Sequence, residues 1–386
     1  MDNLSTVAFL VLIIWAVVNL LIRESRISQF GLKSHFLYIT YRTARLNSLI
    51  KEVADRNRFL FRIIGNLGLA FGVGLATFTV YFLTTNLIRF YNRPAIAVPV
   101  APVLPGVNVS FRHVPYLFLA IVITLTLHEV AHGITAWSEG IPIKNIGLFL
   151  AIIIPGAFVE PDEEKFNDAD DIAKLRVLAS GSLANLATAI ICMIVLSNFL
   201  LFLSPLYETV PSGALIIELL EGGPAEKVGL NVGDIVYEVN GERTRTLNQF
   251  STIMSRLSPG DTVEMITSIG RVAVKTVERE ERAIIGVILS NYYCPKVEFL
   301  NNQLGRQIPY HSLVFIFWIY TVGLSTAMFN MLPVFPFDGD RFLEVIVERA
   351  LGNNAMQIRI LYNVIFFGLI IANIVFSFSR FGFATI

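Results

Sequence analysis

Residues 4–22, 63–88, 114–137, 176–203, 312–333 and 358–379 are six apolar runs of membrane-spanning length. A hydrocarbon layer about 30 Å thick takes about 20 residues of helix. No water reaches that layer, so each run must satisfy its own backbone, and a helix does so. The fold expected is a polytopic α-helical membrane protein of about six transmembrane helices. Composition agrees. Of the 386 residues 54% are hydrophobic and 16% charged, against about 25% charged in a soluble domain. The formal net charge is zero, which gives no general attraction to nucleic acid. Two cysteines far apart in sequence, Cys192 and Cys294, provide neither a disulfide framework nor a thiolate metal site. The first run lacks a basic leader and a small-residue cleavage site, so it reads as a retained span rather than a signal peptide.

Between Arg23 and Arg62 the chain carries nine Lys/Arg and three acids, Glu24, Glu52 and Asp55. Basic short loops stay in the cytoplasm. Alternation then puts the end of the third run, near His132, on the cytoplasmic side. Residues 204–311 fall outside and 338–354 inside. Leu37 to Phe61 mixes apolar and basic residues at near-helical spacing, and reads as a connecting helix, either solvated or lying on the membrane surface. Ile146 to Phe158 is apolar but too short to span, and Pro155-Gly156 breaks it. It is expected to be re-entrant or surface-lying. Four regions follow: 1–62, first span and basic loop; 63–203, membrane core; 204–300, an extracytoplasmic domain; 301–386, the last spans.

The 209–290 stretch has a different character. Gly223-Pro224-Ala225 and Gly229-Leu230 precede Gly233-Asp234 and a strand-like alternation ending in Asn240-Gly241. Leu247 to Leu257 reads as a helix, and 263–267 and 272–277 as strands. The pattern resembles a PDZ domain of the bacterial protease type, an inserted α/β module. Such domains bind extended peptide by strand addition, often at a C-terminus. Residues Ser212 to Ile217 are expected to form its carboxylate-binding loop and strand. The plain alternative is a spacer that binds nothing.

The third run contains His128-Glu129-Val130-Ala131-His132. Positions i and i+4 share a helix face, so both imidazoles can reach one ion. Zinc accepts neutral imidazole nitrogens. Glu129 is placed to take a proton from a metal-bound water. Ionisable groups at such depth are costly and usually functional. A catalytic zinc site needs a third protein ligand and one open position. Asp338, in Asn330-Met331-Leu332-Pro333-Val334-Phe335-Pro336-Phe337-Asp338-Gly339, is the leading candidate. Pro333 and Pro336 break the helix there, and Gly339 permits a close turn. The plain alternative for Asp338 is an N-cap of the helix that follows.

HExxH in one span and Asn-x-x-Pro-x-x-x-x-Asp-Gly in a later one resemble the site-2 protease family of intramembrane zinc metalloproteases. Pro105-Gly106-Val107-Asn108, Gly156-Ala157-Phe158-Val159-Glu160 and Gly181-Ser182-Leu183-Ala184-Asn185 are similar to other elements of that family. The resemblance spans most of 100–345. It implies one Zn²⁺ held by His128, His132 and Asp338, with Glu129 as general base toward a zinc-bound water. Asn330 is implied to lie near the scissile carbonyl. The implied substrates are transmembrane helices of membrane-anchored proteins, and the implied partners are the lipid bilayer and peptide C-termini at the PDZ-like domain. Segment 146–158 is a candidate edge strand for the unwound substrate, with β-branched Ile152, Ile153 and Ile154. Two departures stand out. Ser182 replaces the family's proline, and Asp340 replaces a small residue, where it reads as a solvated helix start rather than a support for the ligands. His35, His113 and His311 are expected to be bystanders. The competing classes are a catalytically silent membrane scaffold with a PDZ module and a membrane metal or ion transporter.

Overall fold

A computed structural model describes residues 13, 15–17, 19–21, 31–35, 38–43, 45–151, 154–279 and 281–382. The chain divides into two units, Met1–Cys192 with Trp318–Ile386, and Met193–Phe317. In the first unit the helices are α1 (Arg45–Arg56), α2 (Arg58–Asn92), α3 (Val114–Ser138), α4 (Asp171–Ser197), α5 (Gln303–Asn330), α6 (Asp338–Leu351) and α7 (Ala355–Phe381); α4 and α5 run on into the second unit. Among the described residues α2, α3, α4, α5 and α7 are long and apolar enough to cross a membrane. The first expected span, 4–22, lies mostly outside the described residues.

The helices keep large apolar side chains on their outer faces. Phe71, Phe78, Ile191, Val364 and Phe367 are all exposed, as lipid-facing positions should be. Between helices, small residues replace bulk. Gly65, Gly68 and Gly72 form a buried stripe on α2. A Cβ on Gly72 would sit 3.1 Å from both Ala179 Cβ and Met331 Cε. Lipid supplies no hydrophobic drive between helices, so such close approach is the main source of attraction.

α3 opens with Pro115 in its first turn. It closes on Gly140, whose φ is +83°. The Gly140 amide donates to Trp137 O and the Ile141 amide to Ala136 O at 2.8 Å. This paired cap satisfies the last carbonyls of the helix.

The stretch 37–61, expected to be helical, holds a strand before its helix. β2 (Ile39–Thr43) lies between β1 (Leu32–Ser34) and β3 (Ile143–Ala151), and β4 (Ile154–Pro161) completes an antiparallel sheet of order β1-β2-β3-β4. The 146–158 segment is therefore the body of a hairpin in a four-stranded sheet; Ile152 and Ile153 lie outside the described residues. The local spacing of 39–43 fits either conformation, and pairing with distant β3 decides it. Glycines face rings across the hairpin. A Cβ on Gly156 would lie 2.2 Å from Phe149 Cζ, and one on Gly147 2.5 Å from Phe158 Cζ. The other spans shift at their ends. α4 starts at Asp171 and stops at Ser197, before a separate turn Phe199–Leu203. α5 stops at Asn330, ahead of Pro333.

The second unit holds a six-stranded antiparallel sheet, β12-β5-β6-β8-β9 with β7 on β6, and a helix Leu247–Met254 with a Thr246/Gln249 capping box. Here β5 is Gly213–Leu219, β6 Ile235–Val239, β7 Glu242–Arg243, β8 Thr262–Thr267, β9 Gly270–Lys275 and β12 Val287–Tyr292. β10 (Val277–Arg279) and β11 (Arg282–Ile284) form a separate hairpin. Asn240 and Gly241 have φ of +51° and +80°, the primed turn that Asn-Gly favours between twisted strands. The core contains Ile216, Val236, Phe250, Ile253, Val263 and Met265. This is a PDZ-like domain.

Candidate metal centre and peptide cleft

The metal-centre geometry starts from α3. One turn of helix separates His128 from His132, and their Nε2 atoms lie 3.0 Å apart. Asp338, the first residue of α6, brings Oδ2 to 3.2 Å from His128 Nε2 and 3.0 Å from His132 Nε2. Among the described residues these three form the group that could hold a metal ion. Tetrahedral zinc with bonds of about 2.0–2.2 Å separates its ligands by roughly 3.3–3.5 Å. The observed spacing is within a few tenths of an ångström of that, so the donor set fits. Side-chain exposure rises from 6% at His128 to 14% at His132 and 23% at Asp338. The cluster opens on the Asp338 side.

The far sides of both rings are held. His132 Nδ1 lies 2.7 Å from Val177 O. A carbonyl only accepts, so Nδ1 carries the proton and Nε2 keeps its lone pair for an ion. His128 Nδ1 lies 3.1 Å from the Asn185 amide nitrogen, while buried Asn185 Oδ1 has no partner. Turning that amide over gives Oδ1 the His128 Nδ1–H and the same tautomer for His128.

Two glycines make the approach possible. A Cβ on Gly181 would lie 2.5 Å from both His128 Cε1 and His132 Nε2. A Cβ on Gly339 would lie 2.3 Å from Met331 C and O. The second obstacle is backbone and cannot rotate away, so Gly339→Ala is expected to cost about 1–3 kcal/mol or more, read as a lowered thermal unfolding midpoint.

Glu129 is not one of the converging atoms. Its Oε2 accepts the Val159 amide of β4 at 2.8 Å. Val159 N–H points away from β3, so the carboxylate docks on the unpaired edge of the sheet. Asn330 Nδ2 lies 2.6 Å from Asp338 Oδ2 and 3.1 Å from His128 Nε2. His128, His132, Asp338 and Asn330 are thus gathered together, while Glu129, next to His128 in the chain, faces the β4 edge. The remaining histidines are elsewhere. His35 stacks on Tyr38, His113 meets Tyr116 and Trp318, and His311 meets Gln307.

Asp340 is not a solvated helix start. It is 1% exposed. Arg359, Tyr362 and Asn363 of α7 donate to it at 2.6, 3.0 and 2.7 Å. Burial alone would push its carboxyl up. The hydrogen bonds and the Arg359 charge outweigh this and hold it below the usual carboxylate range. The sequence shows the acid but not its partners, which lie 19 to 23 residues further on, in a different helix.

In the PDZ-like domain the expected peptide strand is misplaced. β5, which contains Gly213 to Ile217, is paired on both sides, with β12 and with β6, so it cannot accept another strand. β12 is the edge instead. A cleft of about 710 Å³ runs between it and the helix, lined by Leu247, Phe250, Met254, Ile285, Gly286 and Leu289. The run Ile284-Ile285-Gly286-Val287 is the sequence feature that marks it, and Gly286 takes a φ of +78° there.

Apolar spanning helices that enclose two histidines, an aspartate and an adjacent glutamate define an integral membrane protein of the metalloprotease class. The chain belongs to Peptidase family M50, whose model matches residues 116–375. It is similar to the uncharacterized protein MJ0971 of Methanocaldococcus jannaschii, 28% identical over 291 residues, which are 73% of this chain and 70% of that one. It is also similar to a membrane-bound transcription factor site-2 protease homolog of Arabidopsis thaliana, 26% identical over 53% of this chain and 40% of that one. The PDZ domain of an SdrC-like protein from Listeria monocytogenes matches 20% of this chain and 87% of its own, at 23% identity and a TM-score of 0.19.

Proposed function

We propose that this protein is an intramembrane zinc metalloendopeptidase that cleaves transmembrane helices of membrane-anchored substrates in regulated intramembrane proteolysis. The observation that carries this reading is the convergence of His128, His132 and Asp338 within 3.2 Å inside a spanning helix bundle, with Glu129 beside them. When bound, zinc would act as a Lewis acid and bring the pKa of a water it holds down to about 7. Glu129 takes the proton from the attacking water and returns it to the leaving amine. Asn330 donates toward the developing oxyanion. The basic 23–62 loop supports a cytoplasmic site and an extracytoplasmic PDZ-like domain. Metal analysis of the purified protein tests the centre. About one zinc per chain is expected, lost in His128→Ala; an unchanged zinc content sinks the assignment.

A helix must unwind before it can be cut, because its carbonyls are bonded internally. The open edge of β4 offers replacement partners by strand addition, and Glu129 already sits on that edge. Val159→Pro removes the amide that holds Glu129, at an edge position where proline is tolerated. Misplacing the base by about 1 Å costs on the order of 100-fold, so cleavage of a membrane substrate should fall by that order with zinc retained.

The β12 cleft suits an extended C-terminus exposed by an earlier cut, and the domain would also exclude bulky ectodomains. Deleting residues 213–292 separates these roles. Cleavage of substrates with intact ectodomains appears if the domain is a size filter and stays blocked if it is only a reader.

A further inference from the structure

Asp338 is the ligand that the chain has most difficulty placing. It follows a helix-free stretch, 331–337, and is 206 residues from His132. Its precision depends on what fixes that stretch, and the fixing residues lie on α7. Asn363 Oδ1 accepts the Phe335 amide at 2.6 Å, three residues before Asp338. Asn363 Nδ2 donates to Asp340 Oδ1 at 2.7 Å, two residues after it. One side-chain amide therefore grips both flanks of the ligand. Arg359 adds a charged grip on Asp340 Oδ2 at 2.6 Å and a second on Glu344 of α6. Tyr362 OH reaches the Asp340 carboxylate and its carbonyl at 3.0 and 3.1 Å.

Asp340 is nearly fully buried, and an unpaired charge there would be costly. Each polar group in the cluster has a partner, and a satisfied buried network of this kind holds one geometry. A generic tie between two helices would not need the Phe335 amide, which belongs to the loop rather than to either helix.

We infer that Asn363, with Arg359 and Asp340, is a positioning residue for Asp338: the last span sets the place of the third metal ligand. The inference rests on the metal-centre reading above. Residues that orient ligands from behind typically change metal affinity by about ten- to a hundredfold when removed.

The test uses the full-length protein in detergent and follows zinc content and zinc release to a chelator. Asn363→Ala is expected to weaken zinc binding about ten- to a hundredfold and to lower kcat more than KM. Asp340→Asn keeps the shape of the cluster, serves if Asn363→Ala does not fold, and should shift zinc release in the same direction. Asn373→Ala is the comparator. Asn373 lies on α7 too, but bonds Asn86 and Leu83 O, away from the Asp338 loop. It should lower thermal stability and leave zinc release unchanged. Wild-type zinc release in Asn363→Ala, or in Asp340→Asn where that variant stands in, overturns the inference, as does equal weakening in Asn373→Ala. In both cases the metal reading stands. A zinc content that does not depend on His128 overturns the metal reading itself, and this inference with it.

Discussion

Glu129→Gln is expected to abolish detectable cleavage of a membrane substrate while the purified protein still carries zinc. Loss of a positioned general base costs about 10²–10⁴-fold. Glutamine is nearly isosteric and retains an oxygen that can accept the Val159 amide, now 2.8 Å from the carboxylate. The β4 edge and the α3 helix should therefore be undisturbed. What is lost is the capacity to take and return a proton. The measurement pairs metal analysis with turnover on a helical substrate in detergent or liposomes. Unchanged turnover would remove Glu129 from the chemistry, and loss of zinc together with turnover would make it a structural residue.

The second large effect is expected at a residue with no side chain. Gly181→Ala would place a methyl group 2.5 Å from His128 Cε1 and His132 Nε2. Contacts that short do not persist, so either α4 moves away or the imidazoles turn. α4 is held by the glycine stripe of α2, where Gly68 and Gly72 meet Leu183 and Ala179. Its displacement would also break the Val177 bond to His132 and the Asn185 bond to His128. The rings are the softer element, and turning them takes Nε2 out of line with an ion. Zinc should be lost or weakened about ten- to a hundredfold, with thermal stability lowered by roughly 1–3 kcal/mol. Wild-type zinc affinity in Gly181→Ala would show that α4 does not press on the ligands.

Much of the site was legible because its logic is local. Two histidines four residues apart face one way on any helix, and a run of apolar residues has one way to satisfy its backbone in lipid. Asp338-Gly339 beside two prolines marked a broken helix end, and α5 does stop at Asn330. A charge at a helix start, as at Asp340, is expected to be solvated unless something covers it. What covers it is α7, which sequence spacing cannot place. The spacing of 39–43 suggests helix for the same reason, since the partner β3 that makes it a strand is about a hundred residues away. In the PDZ-like domain the alternation marks β6, β8 and β9 but not β12, and only the sheet order shows that β12 is the edge and β5 interior.

The sequence by itself determined that this is a multi-span membrane protein, that two histidines and a glutamate share a helix turn within it, and that an acidic residue waits at a later break. Periodicity and composition carry that information because they act within about twenty residues. The tertiary structure alone decided which far-off groups meet: Asp338 against both imidazoles, Gly181 in the narrow space beside them, Glu129 on the edge of β4, and Asn363 behind Asp338. Those are contacts across 23 to 210 residues of chain. Distance along the chain leaves no periodic trace, so only packing and the pairing of buried polar groups can select them.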